Sequence, residues 1–425
     1  MRIKKTSLIF LLAIFLLPWQ THYIHRIVPM IEGISEYGKL AFFVTEFLIV
    51  AAFVFSRRDS EQPPKEMRKT LRGFYLFLAT GFLSLTFAQY YSISLFTLGH
   101  ILIAGMLFVY LVDPKIRLDR VLLAFVLGLI IPCILGWYQY VNGFSPASTL
   151  FGLAEKQVDT SGIAVVATQT FRSLRAYGSF PHPNIFGGYL AIAIIILGWF
   201  VRSAESKWHS YMYAPLIVLF TSTLILTFSR SAWLALSFSL VAILAQLFWH
   251  KRLVPHRAIP LITLGFVTIL LSIFVLRSHV LARFDSTLQV EAISIEERAS
   301  QYAAFPNVFR INPVVGVGAG AYVFALESMN KNQPVWSYQP FHNAFLLLLS
   351  EFGLIGLLLF IYWMYELIKL IWSRRTHAGG MFAAAIFLEL CFLAVFDHYL
   401  FSMWSGLALA AFSLAICVRL STHSK

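Results

Sequence analysis

The chain has 425 residues, of which 59% are hydrophobic and 12% are charged, and its mean hydropathy is +0.74. This composition excludes a set of soluble domains and predicts a polytopic membrane protein. Because lipid offers no hydrogen-bond partners to the backbone, the expected fold is an all-α bundle. The net charge of +13 is expected to reflect segments that flank the helices and attract anionic membrane lipids, and no nucleic-acid partner is predicted.

Twelve apolar windows approach the length of about 20 residues that a spanning helix needs, and they predict a single polytopic membrane domain over residues 1–425. The windows lie near residues 6–19, 38–56, 71–89, 92–112, 120–141, 184–201, 209–228, 231–249, 258–276, 343–372, 379–396 and 401–418. The first follows a basic segment, as a signal peptide does. No small-residue cleavage site follows it, so a retained helix is predicted.

The basic residues predict the orientation, since lysines and arginines beside helices are retained in the cytoplasm. Twelve helices place both termini on one side, and the segments on that side hold two thirds of the 33 lysines and arginines. The prediction is a multi-pass protein of the cytoplasmic (inner) membrane with both termini cytoplasmic. Long loops near residues 142–183 and 277–341 then face outward, and short helices are expected in the second, between the ninth and tenth spanning helices.

Polar residues collect at the predicted outer ends of the helices. They are Arg172, Arg175 and His182 before the sixth helix, which starts near Asn184 after Pro183; Arg230 between the seventh and eighth helices; His342 and Asn343 at the start of the tenth; and Asp397 and His398 at the end of the eleventh. A single arginine at a membrane interface is usually an anchor. Several together favour an outward-facing site, whereas a carrier concentrates polar groups at mid-membrane.

The loop over residues 277–341 contains two local signals. Ser294 and Glu297 match a capping box, which predicts a helix starting near Ile295 with Arg298 in its first turn. The segment NPVVGVGAGAY (312–322) resembles a glycine-rich nucleotide loop only weakly, because it follows no predicted strand. A tight, close-packed return toward the membrane is the favoured interpretation.

A few ionisable residues fall inside the predicted helices, namely Glu46, His100, Glu351 and Glu389. Intramembrane carboxylates can form a proton relay. The alternative for Glu351 is a neutral, hydrogen-bonded packing residue, which is favoured because no lysine or arginine lies at its depth. His100 is the feature that supports a carrier.

Four segments together resemble the superfamily of integral-membrane O-antigen ligases and polymerases. They are GSFPHPNIFGGYLA (178–191), FSRSAW (228–233), the helix with Arg298 followed by NPVVGVGAGAY (312–322), and HNAFLLLLSEFGLIGL (342–357). Members of this superfamily take a glycan from undecaprenyl diphosphate on the outer face of the cytoplasmic membrane and join it to a sugar hydroxyl. Ligases use lipid A-core as the acceptor, and polymerases use another lipid-linked repeat unit.

The resemblance implies that Arg230 and Arg298 hold the diphosphate and that His342 meets the acceptor as the catalytic residue. Arg175, His182 and Asn343 are further candidates for substrate binding. Guanidinium groups suit a departing diphosphate because they stay charged and donate several hydrogen bonds, and a histidine suits the acceptor hydroxyl as a base. No outward pair of acidic residues offers ligands for Mg²⁺. A metal-independent, inverting reaction without a cofactor is therefore expected.

Ligase activity is the favoured hypothesis, and three alternatives stay open. A repeat-unit polymerase would use the same chemistry on another acceptor. A twelve-helix flippase or transporter would depend on the intramembrane carboxylates and His100 instead of the outer arginines. A passive scaffold of a polysaccharide assembly would tolerate the loss of Arg230.

Overall fold

A computed structural model of the chain describes residues 5–56, 64–168, 170–331 and 333–422. The helices in these ranges are α1 (Lys5–Leu16), α2 (Val44–Ser56), α3 (Lys65–Thr86), α4 (Tyr91–Val112), α5 (Leu118–Gly128), α6 (Ile130–Asn142), α7 (Pro183–Ser203), α8 (Lys207–Tyr211), α9 (Ala214–Leu226), α10 (Arg230–Trp249), α11 (Ile259–Val275), α12 (Arg277–Ala282), α13 (Gln289–Ile311), α14 (Tyr322–Met329), α15 (Ala344–Ser373), α16 (Ala378–Phe396), α17 (Tyr399–Ser402) and α18 (Trp404–Thr422). Glu36–Gly38 and Val335–Ser337 are 3₁₀ turns.

Three small antiparallel sheets of two strands each accompany the helices. They pair β1 (His22–Ile27) with β2 (Lys39–Phe43), β3 (Phe144–Ser145) with β4 (Lys156–Gln157), and β5 (Val165–Ala167) with β6 (Arg172–Leu174). The last two lie in the segment between α6 and α7. Strands thus make up a minor part of a helical protein.

Eight segments of the described ranges are long and apolar enough to cross a membrane. They are Tyr91–Val112, Leu118–Asn142, Pro183–Ser203, Lys207–Leu226, Arg230–Trp249, Ala344–Ser373, Ala378–Phe396 and Trp404–Thr422. Pro183–Ser203 and Trp404–Thr422 have the largest buried share, so α7 and α18 lie at the centre of the bundle. These segments support an all-α membrane protein, and the predicted count of twelve is not confirmed.

The remaining predicted windows form shorter or more polar helices. Val44–Phe55 and Ile259–Val275 are apolar but short, and α1 has 12 residues. Helix α3 has 22 residues, but charged side chains occupy its first two turns. Length alone therefore overstated the number of candidate spans.

The window at 38–56 was wrong as a single helix. Its first residues form β2, paired with β1, and α2 begins only at Val44. Glu46 fixes this start, because its Oε2 accepts a hydrogen bond from Phe43 N at 2.8 Å. A glutamate three residues into a helix can reach back in this way to the residue that precedes the helix.

The predicted helix start at Ile295 was also wrong. Helix α13 has 23 residues and begins at Gln289, so Ser294 lies inside it and Arg298 lies in its third turn. The earlier start has a tertiary cause, because the buried Glu291 in the first turn pairs with Arg283. A local capping pattern contains no information on such a contact.

The glycine-rich segment 312–322 packs tightly against a break in α15, as its sequence predicted. Gly353 (φ 66°) interrupts the helix, and the N–H groups of Leu354 and Ile355 donate to Pro313 O and Val314 O at 2.9 and 3.1 Å. In return, Val317 N and Gly318 N donate to Ser350 O and Glu351 O at 3.0 and 3.1 Å. The segment thus satisfies the backbone groups that the broken helix leaves free.

We expect Gly316→Ala to destabilise the protein by about 2–4 kcal/mol, because a Cβ would add backbone overlap to a left-handed conformation. Gly316 has φ 80°, and its Cβ would lie 2.2 Å from the carbonyl carbon of Glu351. Gly162 has the same φ with no atom within 4 Å, which makes Gly162→Ala a matched control. Thermal unfolding in detergent measures both, and equal shifts in the two variants would contradict the packing argument.

Candidate functional site

The first part of the candidate site is the turn between α9 and α10. Phe228 has a left-handed backbone (φ 47°), which is uncommon for a bulky residue, and Ser229 then caps α10. The turn presents two carbonyl groups to arginines. Thr227 O accepts from Arg175 Nε at 2.7 Å, and Phe228 O accepts from Arg283 Nε at 3.3 Å. The turn therefore positions two cations beside the start of α10.

Glu291 of α13 holds Arg230 and Arg283 together. The buried carboxylate pairs with Arg230 Nη2 at 3.1 Å and with Arg283 Nη1. Arg230 Nη1 also donates to Arg283 O at 2.6 Å. Removing one member of a buried ion pair is costly, so Glu291 is the counter-ion that fixes both guanidinium groups.

Arg298 lies two turns further along α13 and has no such counter-ion. Its Nε is buried without a hydrogen-bond partner, and the described part of the chain gives it no ion pair. Burial lowers the pKa of both Arg283 and His342, and the charge of Arg298 contributes to each shift. Unpaired buried polar atoms are rare in proteins. The guanidinium of Arg298 is thus available to an anion between the arginines and His342.

The second part of the site is the histidine–aspartate cluster, formed by His342, Asp397 and His398 where α15 begins and α16 ends. One nitrogen or oxygen atom from each residue lies within 4.8 Å of the others. The rings of His342 and His398 are 5.3 Å apart between centroids. His342 Nδ1 is 2.8 Å from Gln301 Oε1, and His398 Nδ1 is 2.7 Å from Ser402 Oγ.

Burial controls the charges of this cluster. It lowers the pKa of His398 to about 4, against the opposing charge of Asp397, and it also lowers the pKa of His342. Burial alone would raise the pKa of Asp397, but the neighbouring histidines and a hydrogen bond from Asn184 keep that pKa below its usual value. At neutral pH the cluster therefore contains one anion and neutral imidazoles.

A single amide connects the two parts of the site. Arg175 Nη2 donates to Asn184 Oδ1 at 2.7 Å, and Asn184 Nδ2 donates to Asp397 Oδ2 at 2.8 Å. His182 precedes this residue and caps α7, its Nδ1 accepting from Asn184 N at 3.1 Å. Burial and the nearby Arg175 lower the pKa of His182 to about 3, so its ring is neutral.

The arginines of the site carry surplus positive charge. Burial, with the charges of Arg283 and Arg230, lowers the pKa of Arg175 to about 9, which still leaves it protonated at neutral pH. The arginine cluster comprises Arg175, Arg230, Arg283 and Arg298. Among the described residues, the carboxylates linked to it are Glu291, by direct ion pairs, and Asp397, through Asn184. Four cations against two anions leave two positive charges, which suits a doubly charged anion.

Comparison with known protein families gives an independent result. Residues 215–361 match the family model described as O-antigen ligase. This match supports the O-antigen ligase and polymerase superfamily and confirms the resemblance found in the sequence. The matched family implies a membrane glycosyltransferase-like enzyme with a lipid-linked glycan donor and a glycan or lipid acceptor. No curated protein sequence matches the chain.

The O-antigen ligase region contains much of the candidate site. Arg230, Arg283, Glu291, Arg298 and His342 lie inside residues 215–361. Arg175, Asn184, Asp397 and His398 lie outside it, and the fold brings them to the same place through the hydrogen bonds described above.

The structure brings together four of the predicted site residues, namely Arg175, Arg230, Arg298 and His342. The other two have local structural roles. His182 caps α7, and Asn343 caps α15, its Oδ1 accepting from the N–H groups of Phe345 and Leu346 at 3.0 Å. A part for either residue in substrate binding stays a prediction. Arg172 lies on β6 with its side chain exposed.

Sequence reasoning missed several members of the candidate site. Arg283 and Glu291 belong to no recognisable motif, and only the folded loop brings them to Arg230. Asp397 and His398 were noted at a helix end but not assigned to the site. Their one sequence signal was a charged dipeptide closing an apolar run.

Two cavities adjoin the histidine–aspartate cluster. A cavity of about 600 Å³ is reached by Ser402, the partner of His398, and is lined by polar and aromatic residues that include Tyr37, Lys156, Glu351 and Trp404. A second cavity, of about 640 Å³, is apolar and lies among α3, α4, α15, α16 and α18. Ala344 and Phe345, which follow the His-Asn pair directly, line the apolar cavity.

The intramembrane ionisable residues occupy separate positions. Glu46 Oε1 contacts His100 Nδ1 beside the start of α2. Glu351 Oε2 accepts from Gly320 N at 2.8 Å and so supports the glycine-rich segment. Glu389 is fully buried, and neither of its carboxylate oxygens has a hydrogen-bond partner in the described residues. The first two therefore have structural partners, and the predicted packing role of Glu351 agrees with its hydrogen bond.

Proposed function

We propose that the protein is an O-antigen ligase-type glycosyltransferase. It transfers a glycan from undecaprenyl diphosphate to a sugar hydroxyl of lipid A-core, with inversion and without a metal. The reaction takes place on the outer face of the cytoplasmic membrane, where the 277–341 loop of this single polytopic domain is exposed, and both termini are cytoplasmic. The observation that carries the proposal is the surplus charge of the arginine cluster directly beside His342.

The charge of the arginine cluster is suited to binding the diphosphate end of the donor. A diphosphate diester has two negative charges, which the two surplus positive charges would neutralise. Guanidinium groups bind phosphate oxygens through paired hydrogen bonds and stay charged at neutral pH. Arg230 and Arg283 are already oriented by Glu291, while Arg298 is free to contact the ligand. Preorganised donors of this kind stabilise charge that grows on a leaving group.

The hydrogen bond of His342 supports its role as the base. An amide oxygen only accepts hydrogen bonds, so the contact with Gln301 Oε1 places the proton on His342 Nδ1 and leaves a lone pair on Nε2. The acceptor hydroxyl loses its proton to Nε2 as its oxygen bonds to the anomeric carbon. The bond from that carbon to the diphosphate oxygen breaks on the opposite face, and the diphosphate leaves with the electron pair.

The two cavities offer binding sites for the prenyl chain of the donor and for the acceptor glycan. The apolar cavity begins at Ala344 and Phe345, so a prenyl chain can lie there with its diphosphate at the arginines. The polar cavity beside Ser402 offers hydrogen-bonding and aromatic side chains, which is typical of sites that bind sugars and other polar ligands. We assign the acceptor glycan to this second cavity.

A transfer assay in EDTA tests the proposal. The purified full-length protein is incubated with undecaprenyl-diphosphate glycan and lipid A-core, and the products are separated by mass. We expect glycan on lipid A-core with the wild type and with Arg277→Ala, whose exposed arginine is the matched control, and none with Arg230→Ala.

Each alternative gives a different outcome in this assay. Lengthening of the lipid-linked glycan with untouched lipid A-core would identify a polymerase. Lack of turnover with either acceptor would contradict transferase activity and favour transport. Full activity of Arg230→Ala would contradict the assigned diphosphate site.

A further inference from the structure

The histidine–aspartate cluster has the composition of a transition-metal site. It combines two imidazoles and one carboxylate from two helix ends that are distant in sequence. Sequence reasoning looked for paired acidic ligands and expected none, because His342 and the Asp397-His398 pair become neighbours only in the fold. Two histidines and a carboxylate form a recurrent ligand set of zinc and other first-row metal sites.

The hydrogen bonds around the cluster engage Nδ1 of each histidine and leave the other ring nitrogen without a described partner. Gln301 Oε1 fixes the proton of His342 on Nδ1. Ser402 Oγ donates to His398 O at 3.2 Å, so it can accept from His398 Nδ1 at 2.7 Å. Both rings then offer an Nε2 lone pair. Histidines that bind metals usually hold their other ring nitrogen in such a hydrogen bond.

Asp397 is held in a similar way. Its Oδ2 accepts from Asn184 and its Oδ1 accepts from His398 N at 2.9 Å. Each carboxylate oxygen keeps a lone pair after these bonds. The anion lies beside two neutral imidazoles, which gives a cation one compensating charge at the point where the three ligand atoms converge.

We propose that His342, Asp397 and His398 bind Zn²⁺, and that the bound ion switches glycan transfer off. Imidazole ligands favour zinc over Mg²⁺ and Ca²⁺, which prefer oxygen ligands. Zinc bonds of about 2.0–2.1 Å bring tetrahedral ligands to roughly 3.4 Å from one another. The present separations of up to 4.8 Å thus require side-chain movements of about 1 Å.

Inhibition follows from competition for one lone pair, and this part rests on the proposed function. Nε2 of His342 cannot bind zinc and accept the proton of the acceptor hydroxyl at the same time. The metal-free protein is then the active form, so the transfer expected in EDTA and the proposed inhibition by zinc are compatible. Zinc binding itself requires no assumption about the reaction.

Binding is tested first, on the full-length protein with Zn²⁺ as the probe. Calorimetric titration is expected to give one zinc per chain for the wild type, with affinity at least tenfold weaker in His398→Ala and Asp397→Asn. His377→Ala removes an exposed histidine and is expected to bind as the wild type does. Equal affinity in wild type and His398→Ala would overturn the proposal.

A second measurement uses the wild type alone, so it does not depend on the folding of any variant. Diethyl pyrocarbonate modifies accessible histidines, and peptide mapping reports each one. Zinc is expected to protect the partly exposed His342 while the exposed His377 reacts as before. Unchanged modification of His342 in saturating zinc would overturn the proposed site.

The transfer assay then separates the two proposals. We expect saturating zinc to reduce wild-type transfer at least tenfold and EDTA to restore it. Binding without any transfer activity would contradict the proposed function and leave the zinc site supported. Transfer that is insensitive to bound zinc would overturn the inhibitory role and support the proposed function alone.

Discussion

Alanine at position 342 is expected to lower the rate of glycan transfer roughly 10²–10⁴-fold, the usual contribution of a general base. The imidazole would be lost, and no other described side chain occupies its place beside Gln301. The loss should fall on kcat, because the proposed function assigns donor binding to the arginine cluster and proton transfer to His342. Transfer rates measured against donor concentration in the purified protein provide the test.

The matched control for this variant is His377→Ala, which removes an exposed histidine at the start of α16. It should retain wild-type kinetics. His377→Ala should keep the wild-type unfolding midpoint, whereas His342→Ala should lower it modestly, because the buried Gln301 loses its hydrogen-bond partner. A His342→Ala protein with more than about a tenth of wild-type kcat would be inconsistent with a general base.

Arg298→Ala is expected to reduce kcat/KM for the donor roughly 10²–10³-fold, as the loss of one preorganised donor to a growing negative charge does elsewhere. The guanidinium has no carboxylate partner among the described residues, so its removal should leave the fold intact. Unlike His342→Ala, this variant should also weaken donor binding. Direct titration with the lipid-linked donor measures that difference.

Arg310→Ala is the control, because Arg310 is an exposed arginine on the same helix. Arg298→Lys adds a finer comparison. It keeps the charge but loses the planar group that binds two phosphate oxygens at once, so it should recover only part of the lost activity. Equal activity of Arg298→Ala and Arg310→Ala would remove Arg298 from the site.

Much of the helical arrangement could be predicted, because its signals are local. Long apolar runs identified the eight candidate spans. Proline after His182 and the Asn-Ala step at 343–344 marked the starts of α7 and α15, where both capping side chains act within three residues. The glycine-rich segment 312–322 was predicted to pack closely, and Gly316 within it has a left-handed backbone that glycine readily adopts.

The sequence was misleading wherever a distant contact decides the structure. A capping pattern at Ser294 competed with a buried Glu291–Arg283 pair, and the pair extended the helix. An apolar run at 38–43 was as compatible with a strand as with a helix, and pairing with β1 decided between them. Arg283 and His398 were not predicted as site residues for the same reason, because only the tertiary structure brings them close to Arg230 and His342.

Position 184 requires a short side chain that can both accept and donate a hydrogen bond, and asparagine meets this requirement simply. It accepts from Arg175 through one end of its side chain and donates to Asp397 through the other. A carboxylate could not donate to Asp397, and an ammonium group could not accept from Arg175. The amide orientation is thereby fixed, and one short side chain links Arg175 of the arginine cluster to Asp397 of the histidine–aspartate cluster, the two halves of the candidate site. An enzyme altered to accept a longer sugar between these halves would have to replace that spacer, and not only widen a cavity.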